Sequence, residues 1–114
     1  KAVTITYNIN VQIVSTSNKR EHWAVRYQRA RNHREAARLY TKSAMDGGTL
    51  EPKRITLTRL YEGRGKPMDS DNLVSGCKSL RDGIAEALCI NDSRDIWQYA
   101  QERGGDGVRV EIEL

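Results

Sequence analysis

Residues 3–14, VTITYNINVQIV, set Val3, Ile5, Tyr7, Ile9, Val11 and Ile13 at every second position, with threonine, asparagine and glutamine between them. A helix cannot keep a period of two, because its apolar face returns every three or four residues, so this stretch is predicted to be a strand with one buried face. The chain ends on the same pattern. Val108, Val110, Ile112 and Leu114 alternate with arginine and glutamate after Gly104-Gly105-Asp106-Gly107, a hairpin signal that would join residues 107–114 to a strand over 96–103. A further strand is expected over 53–62, KRITLTRLYE, with Ile55 and Leu57 directed one way.

Between the strands the period changes. Trp23, Tyr27, Ala30, Ala37, Tyr40 and Ala44 recur at helical spacing up to Gly47-Gly48, predicting one long helix, or two joined near Asn32, with the aromatic residues on its core side. Leu73, Cys77, Leu80, Ile84 and Leu88 predict a second helix from Asp71 to about Leu88, capped by Asp71 or a neighbour. The expected order is β-α-β-α-β-β, an α+β fold in which one four-stranded, mostly antiparallel sheet is covered by two helices.

At 114 residues the chain is too short for two ordinary cores, so residues 1–114 are expected to form one domain. No run approaches the roughly 18 apolar residues of a membrane helix, and no signal-peptide pattern opens the sequence, so a cytoplasmic protein without a membrane partner is expected. Cys77 and Cys89 would lie about 18 Å apart along one helix and its end, beyond disulfide reach, and are expected to be buried free thiols.

The charge is divided unevenly. Residues 1–66 carry fourteen lysines and arginines against five acids, and residues 67–114 carry five against ten. A basic half attracts phosphates and an acidic half can hold metal ions among them, although either could simply be a solvated surface. Within the basic half Arg31, Arg34, Arg38 and Lys42 are three or four apart and form one helical stripe, with only Glu35 in the stretch to neutralise it. Arg64 and Lys66 add two cations in the loop GRGKP.

Asp69 and Asp71, two apart in KPMDSDNL, are the focus of the acidic half. In extended backbone, side chains at i and i+2 point the same way, and two adjacent carboxylates repel unless a cation lies between them. Hard oxygen ligands favour Mg²⁺ or Mn²⁺. An isolated Asp-x-Asp is equally natural as a helix cap. On one continuous helix Ser75, Lys78 and Asp82 would fall within about 40° of Asp71, leaving a polar face behind the two aspartates. Asp92, beside Asn91 and Ser93, reads by spacing alone as a turn residue.

These residues resemble the RusA-type Holliday junction resolvases of bacteriophages and prophages. The resemblance rests on the first strand, Ser17-Asn18 before an arginine-rich stretch over 26–42, Asp69-Ser70-Asp71-Asn72-Leu73 opening a helix, Lys78 with Asp82, Asn91-Asp92, and two closing strands. It implies that Asp69, Asp71 and Asp92 are catalytic metal ligands for Mg²⁺, with Mn²⁺ possible, and that Lys78 is the catalytic lysine. It further implies branched DNA as substrate and a homodimer, whose symmetry suits two matched cuts in a junction during recombination or repair. Lys78 lies seven residues after Asp71 where the family usually has four, and Asn91 stands where it often has a second acid.

The activity expected on these grounds is phosphodiester hydrolysis, with Arg31, Arg34, Arg38, Lys42, Arg64 and Lys66 binding backbone phosphates and Lys78 stabilising developing charge. The alternatives are a branched-DNA-binding module of the same fold without turnover, and a phosphoryl or glycosyl transferase built on Asp-x-Asp. Gly63-Arg64-Gly65-Lys66-Pro67 lacks the spacing of a phosphate-binding loop for the latter.

Overall fold

The computed structural model describes residues 3–14, 22–46, 51–91 and 95–114. Among them the elements run β1 (Thr4–Ile9), α1 (Trp23–Met45), β2 (Arg54–Tyr61), α2 (Ser70–Gly76), α3 (Lys78–Leu88), β3 (Trp97–Arg103) and β4 (Val108–Glu113). The fold is α+β, and the sheet order is β1-β4-β2-β3. β4 is antiparallel to both β1 and β2, whereas β2 and β3 run parallel, so the sheet is mixed.

The register lines up side chains in rows across the helix-covered face. Ile5, Ile112, Ile55 and Trp97 form one row, and Tyr7, Val110, Leu57 and Tyr99 the next. Ile55, Leu57, Val110 and Ile112 are fully buried, each worth about 1.5–3 kcal/mol relative to exposure. The opposite face presents Thr6, Glu111, Thr56 and Gln98 in the same register. The alternation in the sequence is therefore the two faces of this sheet.

The expected hairpin between β3 and β4 does not form. Gly104–Gly107 instead carries the chain across the end of β2, where Gly104 N donates to Tyr61 O at 2.9 Å and Leu60 N donates to Gly107 O at 2.9 Å. Gly107 has φ +86° and sits so close to β1 that a Cβ would meet the Ile9 carbonyl oxygen at 2.7 Å. The strands' own compositions explain the exchange: Val108, Val110 and Ile112 are fully buried and need neighbours on both edges, while Gln98, Gln101, Glu102 and Arg103 suit a sheet edge.

Helix α1 is continuous through Asn32 and ends at Met45, with Asp46 in the left-handed conformation; Gly47-Gly48 lie outside the described residues. Its buried stripe is His33, Ala37, Thr41 and Met45, whereas Trp23, Tyr27 and Tyr40 are exposed, which reverses the expected core side at the aromatics. The cause is the closeness of α3. At Gly83 a Cβ would lie 2.2 Å from the Arg34 carbonyl oxygen and 2.9 Å from the Ala37 Cβ, a spacing that only small residues permit. Thr41 in turn meets the sheet, its Oγ1 2.5 Å from Tyr7 Oη, and burial pushes the Tyr7 hydroxyl up to about 12 against the opposing effect of that bond.

The second predicted helix is interrupted at Cys77, giving α2 and α3 in place of one element. Cys77 is a buried free thiol as expected, but Cys89 is exposed, because it takes the left-handed position that ends α3. Among the described residues no helix is long and apolar enough to cross a membrane.

Candidate functional site

Asp69 and Asp71 stand where the loop after β2 becomes α2, and that loop is pinned to β3. The Arg103 guanidinium donates to the carbonyls of Gly63 and, at 3.1 Å, Gly65. Gln101 brackets Met68, its Oε1 accepting from Met68 N at 2.8 Å while its Nε2 donates to Met68 O at 2.8 Å. The residue before Asp69 is thus held through both of its main-chain groups. Asp69 is the N-cap of α2, with Oδ1 accepting from Asn72 N at 2.8 Å and Oδ2 from Asn72 Nδ2 at 3.2 Å. Asp71 lies in the first turn, and both carboxylates face solvent, as do Arg64 and Lys66.

The expected helical face behind the aspartates is divided by the interruption at Cys77. Lys78 and Asp82 stay together on α3, with Nζ 3.5 Å from Oδ2, but Asp71 belongs to α2. Lys78 and Asp82 line a groove of about 490 Å³ with Arg34, Glu86 and Asn91. A neighbouring groove of about 400 Å³ between α1 and α3 is lined by Tyr27, Arg31, Arg34, Ser79, Asp82 and Glu86, among others. Asp69 and Asp71 line neither.

The basic stripe is more neutralised than its own sequence implies. Glu86 reaches across from α3 and accepts from Arg34 Nε at 3.0 Å and Nη2 at 2.8 Å. Arg38 pairs with Glu35 at 2.5 Å, and that hydrogen bond holds the Glu35 carboxyl below its usual range. Arg31 and Lys42 are exposed and have no ion-pair partner among the described residues.

Asp92 and Ser17-Asn18 lie outside the described residues, although Asn91 brings the chain to the Lys78 groove. No group of three or more histidine, cysteine or acidic side chains is gathered among the described residues. Asp69 and Asp71 supply exposed carboxylate oxygens with lone pairs beyond those used in capping, a donor chemistry that fits Mg²⁺ or Mn²⁺, which keep several waters.

Sequence reasoning missed Gln101, Glu86 and Arg59. Gln101 and Glu86 act across elements and carry no local signal. Arg59 does: it falls at the next position of the Ile55, Leu57 face, where alternation calls for an apolar residue. No protein-family model and no curated protein sequence matches the chain.

Proposed function

We propose that this protein is a Mg²⁺-dependent endodeoxyribonuclease that cuts branched DNA, acting as a homodimer in the manner of the RusA-type resolvases it resembles. The observation that carries the reading is the anchoring of Met68 by Gln101, which fixes the main chain under two exposed carboxylates beside the cations of the same loop. An Asp-x-Asp serving only as a cap needs no such anchoring.

Asp69, Asp71 and Asp92 would hold the metal. When bound, it supplies an activated water and neutralises charge on the phosphate being cut. Lys78 is exposed and only 3.5 Å-paired with Asp82, so it can exchange that carboxylate for a phosphate oxygen. Arg31, Lys42, Arg64 and Lys66 would bind backbone phosphates without reading bases. Arg34 and Arg38 must first release Glu86 and Glu35, so they contribute less than their charge suggests. Trp23 and Tyr27, exposed on α1, are available to stack on bases unpaired at a branch.

The test is cleavage of a mobile four-way junction beside linear duplex of the same sequence, with Mg²⁺ or with EDTA. Paired nicks confined to the junction and lost in EDTA are expected. Asp71→Asn and Asp69→Asn should each slow cutting by more than about a hundredfold, the upper end of what losing even an outer partner of a metal costs. Asparagine caps helices as well as aspartate does, so Asp69→Asn separates loss of charge from loss of fold. Tight junction binding without cutting under any divalent metal would favour the non-catalytic binding module.

A further inference from the structure

The third row of the sheet departs from the two above it. Ile9 and Val108 continue the apolar face, but β2 and β3 contribute Arg59 and Gln101, paired in register. Arg59 therefore projects on the core-facing side of a central strand, half-buried, directly after two fully buried residues. Its Nη1 donates to Gln101 Oε1 at 3.0 Å, and its guanidinium lies 5.1 Å from the centre of the Tyr61 ring. Arg59 has no ion-pair partner among the described residues. A charge withdrawn from water without a counter-ion is unfavourable unless something else repays its desolvation.

The surroundings indicate what does. Arg59 lines a cavity of about 300 Å³ with Gln12, Ile13, Tyr61, Gly65 and, at its exposed margin, Glu62 and Asp106. Asp106 turns its Oδ1 to Gly107 N at 3.0 Å, and neither acid pairs with Arg59. A second guanidinium, that of Arg103, lies 5.0 Å from the centre of the same Tyr61 ring. Neutral partners, Gln101 and Tyr61, orient Arg59 without satisfying its charge, which is the arrangement that leaves its fork of donors for an incoming oxyanion. Gln101 Oε1 is shared by Arg59 and Met68 N, so the cation is one side chain removed from the main chain that carries Asp69.

We propose that Arg59 and its cavity form a phosphate-binding site that receives a backbone phosphodiester oxygen beside the Asp69 loop. Its part in cutting rests on the nuclease reading; the anion site does not.

Two measurements test it. In the first, the side-chain Nε–H signals of the arginines are followed by NMR while inorganic phosphate is added at constant ionic strength, with Arg59 assigned from its loss in Arg59→Met. A saturable shift at Arg59, absent at the carboxylate-paired Arg109, is expected; no shift, or one drift common to all arginines, overturns the site. In the second, junction binding is measured in EDTA across a salt series. Arg59→Met, which removes a half-buried charge at similar volume, should keep the near-ultraviolet signal of Trp97 and weaken binding about tenfold, the worth of one charged hydrogen bond. Its salt slope should be shallower by about 0.9, the contribution of one phosphate, and Arg59→Lys should retain part of both. Unchanged affinity and slope would overturn the phosphate contact. If the unaltered protein binds no junction, the nuclease reading falls while the phosphate titration still decides the site.

Discussion

His33 is 8% exposed in the buried stripe of α1, and burial first, then the charge of Arg29, lowers its imidazole below the ordinary value of 6.5. The native state thus resists the proton that the unfolded chain accepts. The contribution of His33 to stability is present above about pH 6.5 and is lost as pH falls towards and through the lowered native value, because the unfolded state then binds more protons. Urea unfolding between pH 7.5 and 5 should show this loss, and His33→Gln should reduce it. Parallel pH profiles for the two proteins would mean that His33 titrates alike folded and unfolded. The surface pairs Arg34–Glu86 and Arg38–Glu35 contribute little by comparison, being exposed and screened.

Between elements, the contact of α1 with α3 is set by Gly83. Alanine there gains up to about 1 kcal/mol in helix propensity but must displace the Arg34 carbonyl and Ala37. Overpacking of this kind costs about 1–3 kcal/mol, so Gly83→Ala should lower the urea midpoint despite being the better helix former. A raised midpoint would show that the two helices have room to part. This contact also explains what could be read from the sequence. Period-two alternation identified the buried face of β1 and β4, since side chains in a strand have only two directions to take. The core side of α1 is not legible in the same way, because Trp23, Tyr27 and Tyr40 are large and apolar, whereas the stripe that packs is chosen for smallness at Ala37 and for a hydroxyl at Thr41, and its partner Gly83 lies on an element distant in sequence. The candidate site was legible in the same uneven way. Asp69 and Asp71 announce themselves by adjacency, while Gln101, 33 residues beyond Met68, becomes its anchor only through the sheet register.

At the scale of the whole molecule, β4 is flanked on both edges and β3 on one. Amide hydrogen exchange should accordingly be slowest in Val108–Glu113 and distinctly faster on the outer edge of Trp97–Arg103. Equal protection of the two strands would contradict the crossing at Gly104–Gly107. The same strand order bears on how the sheet comes into being. β1 and β2 share no hydrogen bonds with each other, and the strand that joins them is the last of the elements in chain order. A nascent chain that has exposed β1, β2 and β3 at the ribosome therefore has two sheet fragments and an unfilled slot between them. Until Val108–Glu113 emerges to fill it, both sides of that slot are open templates for a strand from a neighbouring chain.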